Sequence, residues 1–129
     1  MFKEIKNVLY EKKSMLSIPE YFELEIDDDR KTLKYSDSLY SDSRKKLKIM
    51  NVDDEVVMEY FDKLFRIIDG WENKYEKDNV LDGMEWQLVI TYKNGDRKHY
   101  YGKNDSPINF EYLDKIKYEI INKMLESER

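Results

Sequence analysis

Between Trp86 and Tyr92 apolar and polar positions alternate along the chain. Trp86, Leu88, Ile90 and Tyr92 fall on one side, and Gln87, Val89 and Thr91 on the other. A period of two belongs to a strand, whose side chains point to opposite faces in turn. The run is rich in β-branched and aromatic residues, which fit a pleated, half-buried surface. Asn94-Gly95 follows. Both residues tolerate positive φ, so the pair predicts a type I′ hairpin turn. With a two-residue loop, Tyr92 faces Arg97, Ile90 faces His99 and Leu88 faces Tyr101, which puts Tyr101 on the Trp86 face. Gly102 ends the second strand. A one-residue bulge would shift this register.

Two longer stretches repeat at helical spacing. Val56, Tyr60, Leu64 and Ile67 form one stripe, with Val57, Phe61, Phe65 and Ile68 beside it. This face is broad enough to pack on a sheet and on another helix. Asp53 opens the helix, Val52 and Val57 have the spacing of a hydrophobic staple, and Asp54 and Glu55 suit the positive end of the dipole. Gly70 suits a left-handed C-terminal cap. Near the end of the chain, Leu113, Ile116, Ile120 and Met124 recur in the same way. Pro107 stops the preceding strand. Asn109 is expected to cap the helix, with Ile108 and Leu113 as its staple.

The first half reads as short strands. Phe2, Ile5, Val8 and Leu9 fit a helix, while Val8-Leu9-Tyr10 fits a strand core; the strands that follow favour the strand, since sequential strands tend to pair. Tyr21 to Ile26 alternates, Asp27 to Arg30 turns, and Thr32 to Tyr35 pairs back. Residues 36–43 read as a polar loop, onto which Leu39 and Tyr40 can dock, and Lys46 to Met50 as a further short strand. Trp71 and Tyr75, four apart in a polar run, are expected to pin the connection after the first helix. Asp82-Gly83 then turns into the hairpin. The predicted fold is α+β: an antiparallel sheet of about five strands with two long helices, about 53–69 and 109–126, packed on it. At 129 residues the chain is expected to be one domain, 1–129.

Composition narrows the function classes. With 40% hydrophobic residues the chain can bury a core. It has no cysteine, which excludes disulfides and cysteine–zinc sites. No stretch approaches the roughly 20 apolar residues of a membrane span. The N-terminal MFKEIKNVLYEKK has no apolar run of the secretory kind, so a cytoplasmic location is the default expectation. The net charge of −5 is uneven: residues 51–82 carry 10 carboxylates against 4 basic side chains. No basic stripe suggests direct nucleic-acid binding.

Few residue groups suggest chemistry. His99 is the only histidine and is expected on the partly buried face of its strand, in a structural role. Asp27, Asp28 and Asp29, near Glu23 and Glu25, lack the spacing that aims successive oxygens at one cation. Asp82, Glu85 and Asp105 are candidates for paired-carboxylate work with His99 if they converge. Four scattered glycines form no phosphate loop, and no serine sits in a nucleophile elbow. Neither a cofactor nor a metal is expected. Tyr92, Tyr100, Tyr101 and Tyr112 lie on or near the hairpin, and with Arg97 and Lys98 they can stack on bases; sheet packing is the expected use of each. The candidate interaction surface is Asp54, Glu55, Glu59, Asp62, Glu72 and Glu76, with Tyr100 and Tyr112.

The run Trp71, Tyr75, Asp82-Gly83, Trp86, Leu88, then Asn94-Gly95, Gly102-x-Asn104, Pro107-x-Asn109-Phe110 and Leu113 resembles a pattern shared by small bacterial proteins with no assigned activity. The resemblance covers about residues 50–125 and implies an α+β fold without implying a reaction. One departure is Asn104-Asp105-Ser106, where that pattern more often has an apolar or aromatic residue before the proline.

The expected function is a non-catalytic protein-interaction module, such as a small regulator, an immunity-type protein or a mobile-element inhibitor of host defence, with a protein as its partner. Two alternatives stand beside it. One is an acidic nucleic-acid mimic that blocks a nucleic-acid-binding enzyme. The other is a small hydrolase using Asp82, Glu85 or Asp105 with His99.

Overall fold

The computed structural model describes residues 4–14, 19–36, 47–77 and 83–127. Phe2, Leu39, Tyr40, Lys46 and Asp82, with most of the expected 36–43 loop, lie outside the described residues. In chain order the elements are β1 (Ile5–Lys13), β2 (Glu20–Ile26), β3 (Lys31–Ser36), β4 (Leu47–Asn51), α1 (Asp54–Ile68), β5 (Lys74–Glu76), β6 (Glu85–Tyr92), β7 (Arg97–Lys103) and α2 (Glu111–Ser127). The fold is α+β, with two helices packed on one sheet. Of the ambiguous N-terminal stretch, Ile5–Lys13 is a strand, and it lies at the centre of the sheet.

The sheet is larger and less uniform than the sequence suggests. It has seven strands in the order β4-β3-β2-β1-β6-β7-β5. Six are linked by antiparallel pairings, and β5 runs parallel to β7 at the edge. β5 is the element with no pattern to find: it has three residues, and Tyr75 is its one apolar side chain. What holds it is the backbone ladder to β7, extended by Tyr101 N–H donating to Asn73 O (2.9 Å) and Lys77 N–H to Lys103 O (3.1 Å).

The hairpin register also differs from the two-residue expectation. Tyr92 N–H donates to Asp96 O (2.8 Å) and Gly95 N–H to Tyr92 O (2.9 Å), so the loop is Lys93-Asn94-Gly95. Gly95 has φ +95°, the left-handed residue of a three-residue loop with a bulge. Asn94 Oδ1 accepts the Asp96 N–H at 2.9 Å and braces the turn. The pairing moves by one residue: Leu88 faces Tyr100 and Gln87 faces Tyr101. Because the side-chain period is two, this slip exchanges the faces of β7. Tyr100 is buried in the core, and Tyr101 and His99 point away from it.

The core lies between the helices and one face of the sheet. Val8, Tyr10, Phe22, Leu24, Leu33, Leu88 and Ile90 supply the strand side. Val57, Phe61, Leu64, Leu113, Ile116 and Ile120 supply the helix side. Burying each such side chain contributes on the order of 1.5–3 kcal/mol. At the start of α1 the expected staple is met, with Val52 and Val57 both buried. Gly70 has φ +82° after the helix end, as its capping position requires. Trp71 and Tyr75 do pin the following segment. The Trp71 ring meets Trp86 edge-on at 6.0 Å, Tyr75 lies 6.3 Å from Trp86, and the Tyr75 hydroxyl accepts the Glu72 N–H.

The entry to α2 departs from expectation. Asn109 has φ +68° and Ile108 is 80% exposed, so neither the cap nor the Ile108–Leu113 staple forms. Phe110 decides the geometry instead. It is buried with its ring 4.7 Å from Trp86 and edge-on to Tyr10, and the helix starts one residue later. Burying this larger ring outweighs a cap worth about 1 kcal/mol.

Candidate functional site

Residues that alternate with the core residues form the opposite face of the sheet. Among the described residues, neither helix covers it. Cross-strand pairing sets its side chains in rows. One row runs Ile49, Lys34, Glu23, Leu9, Val89, His99 from β4 to β7. The next places Glu11, Gln87 and Tyr101 side by side, with Tyr21 opposite Glu11. Leu9 and Val89 form an apolar centre; Val89 is only 8% exposed although no helix lies over it. Around them stand carboxylates, lysines and aromatic rings.

This face dips into a recess of about 420 Å³ towards the ends of β1, β6 and β7, lined by Glu11, Glu85, Gln87, His99 and Tyr101 among others. Gln87 organises it. Its Nε2 donates to Glu11 Oε1 (3.2 Å), which leaves its Oε1 to accept a hydrogen bond from His99 Nε2–H (3.1 Å). A carboxylate accepts only, so Glu11 fixes the amide orientation, and the amide fixes the proton on His99 Nε2. The His99 ring also lies 5.1 Å from that of Tyr101. Glu85 sits directly opposite both Lys13 and Lys103, an alternation of sign that stabilises neighbouring strands. The recess therefore offers carboxylates, amines, one imidazole and two aromatic edges side by side.

The residues singled out by sequence disperse. Glu85 and His99 share the recess, with His99 on the exposed face rather than the partly buried one. Asp105 does not line it. Its Oδ1 accepts the Ser106 N–H and lies 3.6 Å from Lys77 Nζ, and its carbonyl accepts the Trp86 indole N–H at 2.8 Å. Beside it Asn104 has φ +59°, and its Oδ1 is enclosed without a hydrogen-bond partner among the described residues. Asp27 N–H bonds Arg30 O, closing the expected turn, and Asp28 reaches Lys93 at 3.6 Å.

Nor is the acidic segment a bare row of charge. Asp54 pairs with Lys31 (2.7 Å), Glu59 with Lys63 (3.2 Å) and Lys123, Asp62 with Arg66 (3.2 Å) and Glu76 with Lys74 (3.5 Å). The hydrogen bonds from Lys123 and Lys63 hold the Glu59 carboxyl below its usual pKa. Glu55 and Glu72 are exposed. Tyr100 faces inward, edge-on to Trp71 at 5.9 Å, while Tyr112 is 43% exposed on α2 beside Lys115.

One charged group was not foreseen. Lys117 is 5% exposed on the apolar side of α2. With Lys12, Glu20 and Asp114 it forms a closed set: Lys12–Asp114 2.5 Å, Lys12–Glu20 3.5 Å, Lys117–Glu20 3.2 Å and Lys117–Asp114 3.4 Å. The Tyr10 hydroxyl donates to Asp114 at 3.1 Å. Burial alone would raise the Asp114 carboxyl, but the Lys12 hydrogen bond and the two lysine charges outweigh it and hold the carboxyl below its usual range. Burial, together with Asp114, pushes the Tyr10 hydroxyl well above its ordinary value. Burial would lower Lys12, yet its bond to Asp114 leaves it raised. The signal in the sequence was Lys117 itself, four residues after Leu113 on an apolar stripe.

Among the described residues, no group of three or more His, Asp or Glu side chains is placed to hold a metal ion. No described helix is long and apolar enough to cross a membrane. Compared with models of protein families and with curated protein sequences, the chain matches none.

Proposed function

We propose that this chain is a protein-binding module that presents the uncovered side of its sheet to a protein partner. The observation that carries this is the composition of that face: Leu9 and Val89 at its centre, His99, Tyr21 and Tyr101 around them, and a mixed-charge rim. An apolar and aromatic centre within a polar rim is the usual anatomy of a protein interface. The scale also fits. Seven strands about 4.8 Å apart span about 29 Å, and seven residues run about 20 Å along a strand. That is roughly 600 Å² before side-chain relief, close to the about 800 Å² that each partner buries in a standard complex. The acidic surface of residues 51–82 is a weaker candidate, because Asp54, Glu59, Asp62 and Glu76 are already paired within the chain. The same pairing disfavours nucleic-acid mimicry.

Affinity capture from the source cell tests this with two variants. His99→Glu combined with Tyr101→Arg alters the sheet face, and Glu55→Arg combined with Tyr112→Arg alters the helix side. Loss of the partner with the first pair alone supports the proposal. Loss with the second pair alone, or no partner above background for the unaltered chain, overturns it.

One observation favours a second reading, carboxylate-dependent hydrolysis: Glu85 and His99 line the same recess. An activity found for this chain that survives both Glu85→Gln and His99→Gln would end it.

A further inference from the structure

The hydrogen-bond phase of β4 determines what can pair with its outer edge. Val52 N–H donates to Lys31 O (2.9 Å), so Lys31 and Val52 are a hydrogen-bonded pair of the β3–β4 ladder. Such pairs alternate in an antiparallel ladder. The next ones are therefore Leu33 with Met50 and Tyr35 with Lys48. The backbone groups of Leu47, Ile49 and Asn51 point the other way, to the edge of the sheet, where no described strand meets them. These three side chains lie on the uncovered face. Ile49 is 65% exposed and Leu47 38%.

Edge strands in natural proteins are commonly guarded by an outward charge, a proline or a bulge. The one charge on β4 is Lys48, on the helix side of the sheet; Leu47, Ile49 and Asn51, whose backbone groups face the edge, carry none, and the β3–β4 register runs without a shift. The edge is also self-complementary. In an antiparallel pairing centred on Ile49, Ile49 meets its own copy, and Leu47 meets Asn51 at each end. All three are hydrogen-bonded pairs, each exchanging two N–H···O bonds. On the other side of the sheet Lys48 falls opposite Met50, so the two lysines are not set against each other. A register one residue off would instead oppose edge-pointing groups with groups already bonded to β3.

We propose that two copies of this chain associate through β4, in the antiparallel register centred on Ile49, to form one continuous sheet. The two-fold axis stands perpendicular to the sheet, so both uncovered faces lie on the same side and become one surface. The contact is short, five residues from each copy, so the dimer is concentration-dependent rather than permanent.

The absence of native cysteine makes the register testable. Single-cysteine variants Ile49→Cys, Leu47→Cys and Met58→Cys are treated with a short bis-maleimide, and sedimentation velocity follows the unaltered chain and Ile49→Lys across a dilution series. The proposal expects rapid cross-linking of Ile49→Cys only, since the opposed Cα atoms would stand about 5.5 Å apart. It also expects a shift of the unaltered chain from 15.8 kDa towards twice that mass, abolished in Ile49→Lys with an unchanged circular dichroism spectrum. A monomer at every concentration overturns the proposal. So does cross-linking of Leu47→Cys or Met58→Cys as fast as Ile49→Cys.

Discussion

Gly102 lies directly opposite Trp86 across the β6–β7 pair, and the indole occupies the space a side chain would need. A β-carbon at Gly102 would come within 2.6 Å of Trp86 Cε2 and closer still to Nε1. It would also press on the Asp105 carbonyl that accepts the indole N–H. Gly102→Ala is expected to cost about 1–3 kcal/mol, the range for overfilling a packed site. Urea titration monitored by tryptophan fluorescence measures it, and an unchanged midpoint would show that the indole can move aside.

The same substitution at Gly95 is expected to act for a different reason. Nothing lies within 4 Å of a β-carbon there, but φ is +95°. Gly95→Ala should destabilise by about 1 kcal/mol or more through backbone strain alone. Gly95→Asn should be milder, because asparagine visits the left-handed region more readily. If alanine and asparagine cost the same, the turn has rearranged.

Much of the fold was legible in the sequence because the sheet buries one face. That imposes alternation on β2, β3 and β6 and a stripe on each helix, and both are visible residue by residue. The register of β7 was not legible, since it depends on whether the chain turns in two residues or three around Gly95. β5 was hidden because its stability comes from backbone bonds to β7 and from Tyr75 alone. Of the candidate site, Glu85 and His99 were flagged. Gln87, which bonds both Glu11 and His99, reads as any polar residue on an outward position. The rows of the open face became apparent only once strands distant in sequence were set side by side.

The charge set around Asp114 gives a pH dependence of definite sign. Asp114 has a lowered pKa in the folded chain, so its contribution is present above the unfolded value of 3.8 and is lost as pH falls through the folded value. Lys12 has a raised pKa, so its contribution is present below 10.5 and is lost as pH rises through the folded value. Tyr10, also raised, adds to the alkaline loss above 10.0. Thermal melts should show a plateau between these limits. Asp114→Asn should cost about 2 kcal/mol at neutral pH. This is below the 3–5 kcal/mol typical of a fully buried pair, since Lys12 and Asp114 keep about a quarter of their exposure. It should also flatten the acid limb; an unaltered limb would assign acid sensitivity to other carboxylates.

In the recess, the Glu11–Gln87–His99 chain predicts that neutral His99 carries its proton on Nε2. Long-range proton–nitrogen NMR correlations report the tautomer. Gln87→Leu should release the preference, whereas persistence of the Nε2–H form would show that another group holds it.

A protein partner seated on the uncovered side of the sheet would shield the side chains that stand there. Hydroxyl-radical footprinting of the chain, alone and with its captured partner, tests this most directly. Docking on that side should remove labelling at His99 and Tyr101, with Tyr112 and Tyr118 on α2 labelled as before. Protection of Tyr112 and Tyr118 with His99 and Tyr101 unchanged would contradict it.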